Sequence, residues 1–302
     1  MTQLTYLEAI VVGAFQGVTE LFPVSSLGHS VLIPAIIGGQ WATDLDVSAP
    51  ESPYLAFIVG LHVATAAALL VFFWRDWVRI IGGFVTSIRY RRLSTPYERL
   101  AWLIVIATIP VGVAGLLLEH LFRTVLGKPV PAACFLIANG VLLYVGEQLR
   151  RSREPSGAAQ EPEPGTESDQ AADTRLAAMS AGRATLIGSA QILALLAGIS
   201  RSGATMVAGL VKGLSHEDAA RFAFLLATPV ILAAGALKIP DLTGPLSAGI
   251  HGQVIAGSIA SFVTAYVAVR FLTRYFRTRT LVPFAIYCVL AGAAGLAWLL
   301  TH

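Results

Sequence analysis

Six stretches of this chain run almost without polar side chains: 54 to 73, 100 to 118, 130 to 146, 221 to 237, 253 to 272 and 281 to 300. A helix needs roughly 20 apolar residues to cross the hydrocarbon core of a bilayer, and each stretch comes close to that length. With 55% of residues apolar, 13% charged and a mean hydropathy of +0.70, there is too little polar side chain to coat a water-soluble globule. The expected fold is an all-α integral membrane protein whose main partner is the bilayer. A formal net charge of +3 over 302 residues gives no argument for nucleic acid as a partner. Cys134 and Cys288 stand in apolar sequence without metal-ligand spacing and are expected to pack as small hydrophobes.

Two further apolar regions, 4 to 39 and 184 to 214, are broken midway by polar, Gly- and Pro-containing sequence, ELFPVSSLGH at 20 to 29 and AGISRSGAT at 197 to 205. Each half of such a region is too short to span. Irregular backbone at membrane depth is tolerated only inside protein or beside a water-filled cavity, so each region reads as a re-entrant helical hairpin. Basic residues gather in three connections: Arg75 to Arg99, Arg150 to Arg183 and Arg270 to Arg279. The alternate connections, 40 to 53, 119 to 129 and 238 to 252, are poor in them. The positive-inside rule puts the first set in the cytoplasm and the second set outside. Both termini are then expected outside, and with Arg75 the first basic residue of the chain, no secretory signal peptide is expected.

The two hairpins therefore enter from opposite faces. A shift of 175 lays Gly13 on Gly188, Gln16 on Gln191, Ser25 on Ser200 and Gly28 on Gly203. Each half also has the order hairpin, span, span, span. The expected organisation is an inverted-topology repeat, 1 to 146 and 179 to 302, joined by a flexible cytoplasmic linker at 147 to 178 that is rich in Glu, Pro, Ser and Gly. The functional site is expected where the hairpins meet.

The first hairpin gathers Gln16, Glu20, Ser25, Ser26 and His29 in apolar surroundings. An ionisable residue at membrane depth is costly and is by default a functional candidate, the alternative being a solvated turn at the aqueous rim. The second hairpin reads Ser200-Arg201-Ser202-Gly203-Ala204-Thr205 and continues as an apolar helix. Three hydroxyls around one guanidinium at a helix N-terminus make a cradle for phosphate. The alternative is that Arg201 snorkels while the serines cap the helix. Together the hairpins offer an anion cradle, an acid/base pair and nucleophiles, which is equipment for phosphoryl transfer. His62 and Asn139 are expected to make interhelical hydrogen bonds, and Trp74, Trp77 and Trp102 to anchor at the interface. Glu98 with Arg99, and Glu217 with Asp218 and Arg221, are expected to be cytoplasmic surface charges.

These two motifs, Gln16-Gly-Val-Thr-Glu-Leu-Phe-Pro-Val-Ser-Ser-Leu-Gly-His29 and Gly198 through Thr205, closely resemble those of the bacterial undecaprenyl-diphosphate phosphatases, also called bacitracin-resistance proteins. ERLAWLIVIATIP at 98 to 110, FAFLLATPV at 222 to 230 and RTLVPFAIY at 279 to 287 are similar too, so the resemblance covers nearly all of the chain outside the linker. It implies removal of the terminal phosphate from a polyprenyl diphosphate at the outer face of the bacterial plasma membrane, regenerating the monophosphate carrier of cell-wall glycan synthesis. By position it implies catalysis or diphosphate binding at Glu20, Ser26, His29, Ser200, Arg201 and Thr205; with the reading of the hairpins, Glu20, Ser26, His29 and Arg201 are expected to be catalytic and Gln16, Ser25, Ser200, Ser202, Gly203 and Thr205 to bind substrate. Ser26 or His29 would attack phosphorus, or water would do so directly. The resemblance also points to a divalent cation, magnesium or calcium, at Glu20 with Gln16. However, Gln16 stands where many members carry glutamate, and Ala197 where a proline often precedes the glycine. A homodimer is left open. The rival reading is an inverted-repeat transporter or flippase of a lipid phosphate or small anion.

Overall fold

The computed structural model describes residues 4–45, 53–121, 128–152, 169–238 and 249–301. Every element among them is helical. The first half contains α1 (Tyr6–Leu21), α2 (Ser26–Ile37), α3 (Gly39–Asp44), α4 (Pro53–Phe72), α5 (Trp74–Tyr90), α6 (Pro96–Leu121) and α7 (Pro129–Arg151). The second contains α8 (Asp169–Ala177), α9 (Ala181–Ser189), a 3-10 segment (Ala190–Leu195), α10 (Arg201–Val211), α11 (His216–Leu237), α12 (His251–Tyr275) and α13 (Val282–Thr301). The helices α6, α7, α11, α12 and α13 are long and apolar enough to cross a membrane. The sixth expected span, 54 to 73, reaches that standard only as a bent pair, because α5 leaves α4 at 87°.

Both expected hairpins are broken helices. Thr5 starts α1 through a capping box with Glu8, and the helix ends at Phe22 just before Pro23. Ser25 then caps α2, its Oγ accepting from Gly28 N–H at 3.2 Å, and Ser200 caps α10, its Oγ accepting from Gly203 N–H at 3.2 Å. Residues matched by the shift of 175 therefore make the same bond. The first arms pack in corresponding ways too, α1 against α12 and α9 against α6. Small residues set these approaches: a Cβ on Gly13 would strike the backbone of Gly257, and one on Gly188 the backbone of Ala107.

Several polar segments differ from expectation. The helix α7 runs on to Arg151, and α8 occupies Asp169–Ala177, so only 153 to 168 of the expected linker lies outside the described residues. Arg175 of α8 donates two hydrogen bonds to Asp218, both 2.9 Å, and Asp173 accepts from Arg221 at 2.8 Å, which docks α8 on the first turns of α11. Asp218 and Arg221 are therefore buried charges, not surface ones; Glu217 stays near the surface, paired with Arg277 at 3.1 Å. Glu98 is also buried, because its carboxylate accepts from the Ser94 and Thr95 N–H groups and caps α6. The stretch after Arg75 is a helix with Trp74, Val78, Ile81, Val85 and Ile88 exposed along one face. Trp102 Nε1 bonds Ser87 Oγ at 2.9 Å and ties α6 to α5. Cys288 is buried as expected, while Cys134 is exposed on α7. The connections 46–52, 122–127 and 239–248 lie outside the described residues.

Candidate active site

The two helix breaks meet. Gly198 has φ of 115°, and a Cβ there would lie 2.5 Å from Ala132 O and 2.7 Å from Leu136 N, so only glycine fits. On the facing side a Cβ on Gly28 would come within 2.8 Å of Gly198 Cα, so the backbones of the two hairpins touch. Gly198 N–H donates to Ser25 Oγ at 3.2 Å, and the Ser200 and Ser202 hydroxyls reach Phe22 O at 3.4 and 3.3 Å. Asn139 of α7 joins both breaks: its Nδ2 donates to Pro23 O at 3.0 Å and its Oδ1 accepts from Ser200 N–H at 3.0 Å. Ser25 adopts φ of 68°, uncommon for a residue with a Cβ. These bonds hold it there, and they bring the N-termini of α2 and α10 to one place.

Beside this junction lies a cavity of about 370 Å³. Its polar end carries Glu20, Ser25, Ser26, His62, Ser200 and Arg201, while Leu27, Ile58, Val111, Ile199 and Ile231 are among its apolar walls. Glu20 is the hub. Its Oε1 accepts from Arg201 Nη2 at 2.5 Å; its Oε2 accepts from Ser26 Oγ at 2.5 Å and Gln16 Nε2 at 3.0 Å. His62 Nε2 lies 3.2 Å from the same Oε2. Arg201 Nη1 donates to Ala227 O at 3.1 Å, which stretches the guanidinium between α11 and Glu20.

His62 is the residue that sequence reasoning left out of the site. It does bond across helices, but its partner is Glu20. Its Nδ1 lies 2.8 Å from Ile58 O, and since a carbonyl only accepts, that nitrogen carries hydrogen. A lone pair on Nε2 facing a carboxylate would repel it, so His62 and Glu20 hold a proton between them. Gln191, the partner of Gln16 under the 175 shift, also lines the cavity, with Oε1 buried and without a hydrogen-bond partner among the described residues. Lys238 stands at the cavity as well.

The other expected site residues do not line this cavity. His29 lines a separate apolar cavity of about 440 Å³ beside Phe15, Ile33 and Tyr54. Both its ring nitrogens are engaged, Nδ1 with Ser25 O at 2.7 Å and Nε2 with the Tyr287 hydroxyl at 2.8 Å. Thr205 turns back into its own helix and donates to Arg201 O at 2.8 Å. Ser202 shares a hydrogen bond with Ser200 at 3.1 Å, and Gly203 lies against Pro23 and Leu143. Gln16 reaches the site only through Glu20.

The donor set suits an anion better than a cation. Both Glu20 oxygens already accept hydrogen bonds or face a proton, and Gln16 turns N–H toward Glu20, so the buried side-chain oxygens left without a partner near it among the described residues are two neutral amide oxygens, Gln16 Oε1 and Gln191 Oε1. Among the described residues no three His, Cys, Asp or Glu side chains are grouped as a metal site.

A family model described as bacitracin resistance protein BacA matches residues 9–294. The chain belongs to this family. It is 72% identical over 300 residues to a protein of Mycolicibacterium paratuberculosis named undecaprenyl-diphosphatase, covering 98% of both chains. It is 51% identical to undecaprenyl-diphosphatase 1 of Frankia casuarinae, with 97% of this chain and 98% of that one covered. A third relative, the undecaprenyl-diphosphatase of Granulibacter bethesdensis, is 42% identical, with 97% and 96% covered. In this BacA-family chain both helix breaks fall inside the matched residues.

Proposed function

We propose that the chain hydrolyses the terminal phosphate of undecaprenyl diphosphate, giving the monophosphate carrier and resistance to bacitracin. The observation that carries this reading is the Ser26–Glu20–Arg201 contact at the polar end of an otherwise apolar cavity, which matches a diphosphate on a prenyl tail. Ser26 Oγ attacks the terminal phosphorus while its proton passes to Glu20. The anhydride P–O bond breaks, and the bridging oxygen leaves on the prenyl monophosphate, taking up the proton that Glu20 received. Arg201 turns its fork to the phosphoryl oxygens, and the N-termini of α2 and α10 add partial positive charge where negative charge builds. Water, deprotonated by the freed Glu20 carboxylate, then attacks the phosphoserine; the Ser26 Oγ–P bond breaks, Glu20 returns that proton to Ser26 Oγ, and phosphate is released. Ser25 and Ser200 shape the cradle. His29, Thr205, Ser202 and Gly203 act through the groups they hold, and His29 in particular fixes the Ser25 carbonyl at the turn. A magnesium or calcium ion would have to be carried by the diphosphate oxygens.

The carboxylate opposes an incoming anion, and the shared His62 proton with Arg201 offsets that opposition. His62→Gln keeps a donor to Glu20 but loses the proton, and a drop in kcat of about 10-fold is expected, less than the loss of a direct general acid or base because Arg201 still faces Glu20. An unchanged kcat in purified protein would reduce His62 to packing.

The site is read as facing outward, since the arginine-rich connections gather at the ends of α4, α11 and α12 away from the cavity. The matched capping serines and matched first-arm packing support the inverted repeat. Purified protein in detergent, given undecaprenyl diphosphate with and without chelator, is expected to release one phosphate per lipid. Transfer of intact diphosphate lipid across vesicles without phosphate release would favour the carrier reading instead.

A further inference from the structure

At the other end of α11 from the Glu20 cavity lies a second cavity of about 370 Å³, between the α4–α5 elbow, α8, the first turns of α11 and the last turns of α12. Arg221 lines this one and Val230 lines the other, which separates them by about 14 Å along one helix. The carboxylates here are already engaged. Arg221 takes Asp76 at 3.0 Å and Asp173 at 2.8 Å, Arg175 takes Asp218, and Arg277 takes Glu217. That leaves Arg270 and Arg274, which line the cavity one turn apart on α12, exposed and with no guanidinium partner among the described residues. Two like charges on adjacent turns repel unless an anion lies between them.

The surroundings suggest which anion. Ile255, Ile259, Val263 and Val267 form an exposed apolar stripe along α12 that ends one turn before this pair. Phe72 and Tyr266 give the cavity an apolar wall. The arginines thus stand where a lipid-facing surface gives way to basic sequence, the level of headgroups.

We propose that Arg270 and Arg274 seat the phosphate headgroup of an anionic membrane lipid, at a site separate from the Glu20 cavity. Guanidinium forks match phosphate oxygens in pairs, and a basic pocket between helices at this level meets lipid phosphate at high local concentration. The glycerol and first methylenes lie against Phe72 and Tyr266. Dissolved phosphate offers the same oxygens without the apolar part.

The full chain, purified in detergent and stripped of lipid, would be titrated with phosphatidylglycerol, phosphatidylcholine or inorganic phosphate, reading bound lipid by native mass spectrometry and the unfolding midpoint. Phosphatidylglycerol is expected to bind saturably and raise the midpoint, the other two to do neither. Arg270→Gln with Arg274→Gln should weaken phosphatidylglycerol binding at least 10-fold and leave the lipid-free midpoint unchanged. Arg270→Lys with Arg274→Lys should fall between. Arg89→Gln with Arg92→Gln, at the exposed end of α5, should bind like wild type. Equal binding by the Arg270/Arg274 glutamine variant, an equal loss in the Arg89/Arg92 variant, or equal stabilisation by inorganic phosphate would each overturn the assignment.

Discussion

Glu20→Gln is expected to lower kcat for undecaprenyl diphosphate by about 1000-fold, the combined scale of a lost base and a disordered nucleophile. The carboxylate receives Ser26, Gln16 and Arg201 on its two oxygens and faces the His62 proton. An amide has one accepting oxygen, so whichever way it turns, its NH₂ confronts a donor. KM should hold or fall, because the change removes negative charge from beside two cationic groups. Ser26→Ala should fall to a similar level. Purified variants assayed for phosphate release separate kcat from KM. Near-wild-type turnover in Glu20→Gln would move the chemistry away from this cavity.

The second large effect belongs to Arg201. It spans from Ala227 O to Glu20 Oε1 with two nitrogens of one planar group, at 3.1 and 2.5 Å. Arg201→Lys keeps the charge but offers a single ammonium, which cannot reach both and presents no fork to phosphoryl oxygens. A loss of about 100-fold in kcat is expected, the scale of removing one preorganised donor to an oxyanion. A change confined to KM would limit Arg201 to binding.

The hairpin breaks were legible because Pro23, Gly28, Gly198 and the serines interrupt apolar runs that otherwise have no reason to stop. Pairing Glu20 with Arg201 was within reach, since both stand in those breaks. His62 was not, because one imidazole in an apolar helix gives no sign of which neighbour its ring faces. The burial of Asp218 depends on Arg175, and that of Arg221 on Asp76 and Asp173, all of which lie far away in the chain, so local sequence made them look like surface charge. The α5 helix is different: Trp74, Val78, Ile81, Val85 and Ile88 recur with helical spacing that counting arginines alone passes over.

Asn139 carries a consequence for how the chain is made. Its Nδ2 bonds Pro23 in the first half, while its Oδ1 waits for the backbone N–H of Ser200, 61 residues further on. When α7 enters the bilayer during synthesis, that oxygen is buried without its donor, at a cost of about 1–3 kcal/mol. The newly inserted first half is therefore left incomplete until α10 arrives from the ribosome, and the late hairpin is drawn to the one position where the waiting amide can be satisfied.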